Sequence, residues 1–254
     1  MFDILILSAE KDFNKIKYVY ESIVKFIGGY NNICVISDVE MKDEFKIEGI
    51  KYYTDNEVIN FDFSKFKGNV LKRKGWYVQQ YIKLFQQVTS DDYLVVDSDI
   101  IFNKKIEIIK EGKPSFFFGR NQLHKPYFHF MKKLLNLERV YDYSFINEIM
   151  YIKRDYINEI LAQLKVDNAG FFDLSVEILN EINHDAGMSE YEIYGNFVTK
   201  YFPDAYNYNY IKTQLSGKDS VWKYEEIEDF LLKYKDQDFD IISMHSWVEP
   251  NKVV

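Results

Sequence analysis

The chain has 254 residues, 47% of them hydrophobic and 18% aromatic, with 32 basic against 40 acidic side chains and a formal net charge of −8. That length suits one large α/β domain with its own core, and the acidic balance excludes a general nucleic-acid binder, which presents a basic face to phosphates. The single cysteine, Cys34, excludes an internal disulfide and reads as a small core hydrophobe in a reducing compartment, and no run of ~18 apolar residues offers a membrane span.

Ile4 to Leu7 is a short apolar run ending at Ser8, the pattern of a buried first strand. The residues before it lack the basic start of a signal peptide, so a cytoplasmic protein is expected, with room for peripheral association at the inner face of the membrane. Residues 12–28 carry apolar side chains at helical spacing (Phe13, Ile16, Val19, Tyr20, Ile23, Val24, Ile27) and close on Gly28-Gly29. Ile33 to Ile36, ending at Ser37-Asp38, and the weaker Ile50 to Tyr53 add two strands. A helix follows from Gly75 to about Val88, with Trp76, Gln79, Gln80 and Lys83 near one another on its surface. Tyr93 to Phe102 reads as one strand running through Asp97 and Asp99. Phe116–Phe118, Ile149–Ile152 and Ile241–Met244 are further strands, the last leading into His245, and helical patterns cover roughly 154–164, 172–184 and 189–202. Strands alternating with helices predict a mostly parallel sheet covered on both faces. Ligands of such sheets bind outside the carboxyl ends of the strands, where Ser8, Asp38, Asp97 and Asp99 all fall.

In a strand, Asp97 and Asp99 share a face and Ser98 opposes them. Two adjacent carboxylates repel, and a cation between or beside them relieves that repulsion. A turn, in which Asp caps local amides, is the alternative. It is disfavoured by the apolar Ile100-Ile101-Phe102 that follows at once.

The segment Tyr93-Leu-Val-Val-Asp97-Ser98-Asp99, the helix Gly75-Trp-Tyr-Val-Gln-Gln-Tyr-Ile-Lys-Leu84 and Ser189-Glu-Tyr-Glu-Ile-Tyr-Gly195 together resemble a bacterial group of GT-A glycosyltransferases often found among genes for surface polysaccharides. The resemblance spans Ile4 to about Trp247 and implies a single GT-A domain over 1–254, a Rossmann-like, mostly parallel sheet with helices on both faces. Its nucleotide-sugar half would be 1–102 and its acceptor half 103–254. It implies a divalent cation, Mn²⁺ (or Mg²⁺), on Asp99 and more loosely on Asp97, with His245 as a further ligand. Oxygen ligands plus one imidazole suit Mn²⁺ somewhat better. The implied donor is a nucleoside-diphosphate sugar, a UDP-sugar foremost, and the implied acceptor is a glycan or lipid-linked glycan hydroxyl.

Other candidates carry a structural alternative beside the chemical one. Ser189 and Glu192 form the spacing of a capping box, which leaves Glu190 unexplained; the resemblance implies that Glu190 takes the acceptor's proton, while an acid near a helix N-terminus explains it equally. Arg73, in the basic run Lys72-Arg73-Lys74, has the fork geometry for a donor phosphate. Gln79, Gln80 and Lys83 are placed to meet donor hydroxyls or to form an ordinary polar face. Asp38 and Ser8, with Asp12 beside them, resemble donor-contacting positions, although helix N-caps look the same. His124, His129 and His184 show no ligand spacing. A nucleotidyltransferase is the first rival, weakened because Ser8-Ala-Glu-Lys-Asp12 has no glycine; the second is a non-catalytic carbohydrate-binding module of the same fold.

Overall fold

The computed structural model describes residues 1–119, 123–215, 227–234 and 236–244. The chain opens with β1 (Phe2–Ser8), α1 (Ile16–Phe26), β2 (Tyr30–Ser37), β3 (Ile50–Thr54), the single-turn α2 (Asp55–Val58), α3 (Lys74–Phe85), β4 (Asp92–Asp97) and β5 (Ile100–Phe102). It continues with β6 (Ile109–Lys110), β7 (Lys113–Phe118), α4 (Lys125–Leu135), β8 (Ile149–Lys153), α5 (Arg154–Leu164), α6 (Asn168–Ile182) and α7 (Glu190–Tyr201). The last elements are β9 (Asn207–Tyr210), β10 (Thr213–Leu215), α8 (Ile227–Leu232) and β11 (Ile241–Ser243).

The central sheet has the order β3-β2-β1-β4-β8, parallel except for β8. Every residue of β1 is buried, as an uninterrupted apolar run demands when both faces of a sheet are covered. The chain reverses its direction of progress between β1 and β4, where Leu7 pairs with Asp97 in register. That is the position at which an open α/β sheet leaves a crevice at its carboxyl edge. Two smaller sheets, β10-β11-β5 and β6-β7-β9, flank the first. A second, smaller core of Ile101, Leu231, Tyr234, Ile242 and Met244 lies with β5 and β11.

Much of the aromatic content is core rather than sugar platform. Phe61 stacks on Phe172 with centroids 4.8 Å apart, Phe116 on Tyr206 at 3.9 Å, and the Tyr194 and Tyr206 hydroxyls meet at 2.7 Å. Two elements differ from expectation. The helix expected over 12–28 begins as a 3₁₀ segment, Glu10–Lys15, before α1. The single strand expected over 93–102 is two strands of two different sheets, broken at Ser98-Asp99, because β5 is recruited by antiparallel pairing with β11. An unpredicted helix, α4, has Pro126 in its first turn and buries Tyr127, Phe130, Met131, Leu134 and Leu135, the spacing of one apolar face.

Candidate active site

Asp97 ends β4 because the strand's apolar run stops there, and its amide donates to the Glu148 carbonyl at 3.0 Å where β8 begins. α3 packs against α7 and directs Lys83 at Asp97. Lys83 Nζ lies 2.9 Å from Asp97 Oδ1 and 2.9 Å from Glu190 Oε1. Burial alone would pull the Lys83 ammonium towards neutrality, but the Asp97 and Glu190 carboxylates outweigh it and hold the group well above the ordinary lysine range. For Asp97 burial wins the other way. It pushes the carboxyl up to about 6, opposed by Lys83 and reinforced by Asp99 and Glu148.

Gln80, one turn before Lys83, accepts the Glu190 amide on Oε1 at 3.1 Å, satisfying one of the free donors at the start of α7. Ser189 Oγ accepts the Glu192 amide at 3.3 Å. The reciprocal half of the expected capping box is absent. Glu192 is fully buried and instead accepts from Ser144 Oγ at 2.5 Å, the Phe145 amide at 3.2 Å and Asn196 Nδ2 at 2.9 Å, so its carboxylate fastens the segment leading into β8.

The site has polar atoms left over. Gln80 Nε2 and both amide atoms of Asn147 are buried without a hydrogen-bond partner among the described residues. Gln80 and Tyr191 belong to the Lys83–Glu190 contact itself: the Tyr191 ring lies 4.4 Å from Lys83 Nζ, and its hydroxyl is pushed well above the usual range by burial and by Asp97. Asn147 precedes Glu148, whose φ of 65° puts it in the left-handed region uncommon for non-glycine residues. The Glu148 carboxylate accepts from Ser243 Oγ on β11. Unpaired buried groups of this kind are costly unless a ligand or water completes them.

Asp99 sits in the turn between β4 and β5, not in a strand, so the expectation that it shares a strand face with Asp97 is corrected; the charges remain close enough for Asp99 to raise the Asp97 carboxyl. The Asp99 carbonyl accepts the Met244 amide at 2.7 Å. His245, the next residue, lies outside the described residues. Among the described residues no three histidine, cysteine or carboxylate side chains gather as a metal site. Asp97 and Asp99 fit a divalent cation by chemistry: two hard oxygen donors whose mutual repulsion a cation relieves.

The remaining candidates scatter. Gln80 and Lys83 are buried, not part of an exposed polar face, whereas Gln79 is half-buried and makes no bond to the cluster. Ser8 is buried, its hydroxyl donating to the Ala9 carbonyl at 3.3 Å. Asp38 is exposed and accepts the Glu10 amide at 2.9 Å, and Asp12 pairs with Lys15 at 2.5 Å; both hold the loop after β1. Arg73 is exposed and stacks on Trp76 rather than bonding to Lys83, Asp97 or Glu190. Asn147, Glu148 and Tyr191 join the site without having been expected from the sequence. The available signal was a polar Asn-Glu pair inside the apolar run Phe145 to Ile149.

No curated protein matches the sequence. Among solved structures the chain is similar to the galactosyltransferase LgtC in complex with donor and acceptor sugar analogs, at 10% identity, 97% of this chain, 88% of that chain and a TM-score of 0.49. It is also similar to mouse xyloside xylosyltransferase 1 in its apo form, at 11% identity, 95% and 97% coverage and a TM-score of 0.44. The bifunctional glycosyltransferase WbbM matches at 10% identity, covering 98% of this chain and 46% of that one, with a TM-score of 0.45. A family model described as a family of unknown function (DUF6492) matches residues 1–241, and the chain belongs to that family.

Proposed function

We propose that the chain is a metal-dependent glycosyltransferase that moves a sugar from a nucleoside-diphosphate donor to a hydroxyl of a glycan or lipid-linked glycan. The observation that carries this reading is the set of unpartnered buried polar atoms on Gln80 and Asn147, around or beside the Lys83–Asp97–Glu190 cluster at the carboxyl edge of the sheet. A hydroxyl-rich ligand supplies the donors and acceptors that those atoms lack, and a purely structural ion cluster does not require them.

In this reading Asp99 and Asp97 hold Mn²⁺ or Mg²⁺, with His245 as an additional ligand. When bound, the cation neutralises charge on the departing nucleoside diphosphate. Lys83 bridges the Asp97 and Glu190 carboxylates and fixes their positions relative to each other. The acceptor oxygen bonds to the anomeric carbon, the bond from that carbon to the diphosphate oxygen breaks with its electron pair, and Glu190 takes the hydroxyl proton. Residues 1–102 form the donor half, and 103–254 bring Asn147 and Glu190 from the acceptor half. The reading is of a cytoplasmic enzyme of surface-polysaccharide synthesis with room for peripheral association at the inner face of the membrane; no helix among the described residues is long and apolar enough to cross a membrane.

The test is a panel of nucleotide sugars, UDP-sugars foremost, assayed for donor hydrolysis with and without Mn²⁺. Wild type should hydrolyse at least one, Asp99→Asn should lose activity at unchanged fold, and Glu190→Gln should cut transfer by roughly 10²-fold while retaining donor binding. Cation-independent donor binding that survives Asp99→Asn unchanged would sink the reading.

A further inference from the structure

Beyond the ion cluster α3 continues outward, and its first turn carries a second arrangement. Trp76, Gln80 and Lys83 recur at i, i+4 and i+7, so they follow one stripe of the helix. Lys83 meets the Asp97 and Glu190 carboxylates, and Gln80 meets the Glu190 amide. Trp76 therefore lies one turn further out, about 10 Å along the axis from Lys83 at ~1.5 Å per residue.

Trp76 is half-buried and, besides the adjacent Tyr77 ring at 5.0 Å, has two further partners. The Arg73 guanidinium carbon lies 4.4 Å from its ring centroid, and the Tyr127 ring of α4 lies 6.3 Å away at 26°. Tyr127 in turn packs on His124 at 4.4 Å, and His124 Nε2 is 2.8 Å from the Ala186 carbonyl, in the loop that runs into α7. The wall thus joins the start of α3 to the residues just before Glu190. Both charges reach Tyr127: burial and then Glu190 push its hydroxyl up, and Arg73 draws it down.

Arg73 is exposed and makes no hydrogen bond or ion pair to any described residue, in a chain with 40 acidic side chains. A guanidinium pinned on a ring with its donors open is organised for a forked bond to an oxyanion. The Asp97 end of the stripe belongs to the donor, and Glu190 lies between that end and Arg73. We propose that Arg73, pinned on Trp76, binds an oxyanion carried by the acceptor, a phosphate or a sugar carboxylate, about one helical turn beyond Glu190. The proposal rests on the glycosyltransferase reading and moves Arg73 from the donor to the acceptor.

The experiment saturates wild type, Arg73→Gln and Arg73→Lys with UDP and Mn²⁺. Each is then titrated with methyl β-glucuronoside, glucose 6-phosphate and neutral methyl β-glucoside, with binding followed by saturation-transfer NMR. One or both anionic probes should bind wild type saturably and the neutral glucoside should not. Whichever anionic probe binds identifies carboxylate or phosphate as the source. Arg73→Gln should weaken that binding at least tenfold, and Arg73→Lys, which keeps charge but loses the fork, should fall between. The proposal is overturned if no anionic probe binds wild type, or if Arg73→Gln binds as wild type does. It is equally overturned if Arg73→Gln weakens UDP itself tenfold, which returns the residue to the donor. Failure of wild type to hydrolyse any nucleotide sugar defeats the transferase reading separately, and the Arg73 titration then still reports an oxyanion site or its absence.

Discussion

Lys83 carries its charge between two carboxylates, each 2.9 Å away, with 9% of its side chain exposed to the water that would otherwise screen them. Removing one partner of a buried ion pair leaves uncompensated charge and typically costs about 3–5 kcal/mol. Lys83→Met should lose stability on that scale in denaturant unfolding, and adding Glu190→Gln should restore part of it. A loss under 1 kcal/mol would mean that the pair is screened by water in solution. Glu192 offers a second contrast. Its carboxylate serves Ser144, Phe145 and Asn196 instead of its own helix cap, so Glu192→Ala should cost about 2–4 kcal/mol through unpaired buried donors. The capping-box expectation is about 1 kcal/mol, and a measured loss near that value would show that the buried contacts contribute little. The identity of Asp97, Gln80, Lys83 and Glu190 as site candidates was legible, because charge at a strand end and on a helix beside it stands out against apolar runs. Their mutual pairing was not, since nothing in sequence separation brings Lys83 to Glu190.

At the scale of elements, β1, β2, β4 and α7 were legible because their apolar patterns are continuous or strictly periodic. The break between β4 and β5 was not: Ser98-Asp99 has neither glycine nor proline, and the turn is imposed by β11 from far along the chain. α7 supplies a prediction against its own propensity. Gly195 is in mid-helix, where alanine normally stabilises by about 0.5–1 kcal/mol. Here an added Cβ would meet the Phe145 ring at 2.2 Å, on the segment that Glu192 fastens beside Asn147 and Glu148. Gly195→Ala should therefore lower the melting temperature and weaken donor binding together. A raised melting temperature would show that Phe145 moves aside freely.

For the molecule as a whole, acid sensitivity has a sign that can be worked out. Asp55, half-buried at the end of β3, has its carboxyl pushed up to about 6 by burial and then by the Asp38 carboxylate. An unfolded chain releases that proton near pH ~4, so between roughly pH 4 and 6 the folded state binds the more protons and its stability falls as pH rises. Asp55→Asn removes the titration. Its melting temperature should match or trail wild type near pH 4 and exceed it near pH 7, and parallel curves would disprove the shift. The sheet order behind this geometry was only partly legible: sequence patterning gives a mostly parallel sheet, but the antiparallel β8 and the two side sheets arise from pairings between distant segments.

The hydrogen bond from Met244 to Asp99, with the pairing of β11 and β5, also bears on the order in which the protein is made. A ribosome delivers the Asp99 turn about 145 residues before the strand that secures it, a delay of roughly 7–30 s at ~5–20 residues per second. During that interval β1 to β4 have all emerged and can pair, and β5 can meet α1 through the bond from the Phe102 amide to Ser22 Oγ, while the Asp99 turn still lacks its bond from Met244. The parallel strands β1 to β4 can thus be paired in the nascent chain well before β11 arrives to fix the Asp99 turn, so the order of the strands along the chain sets the order in which the two sheets close.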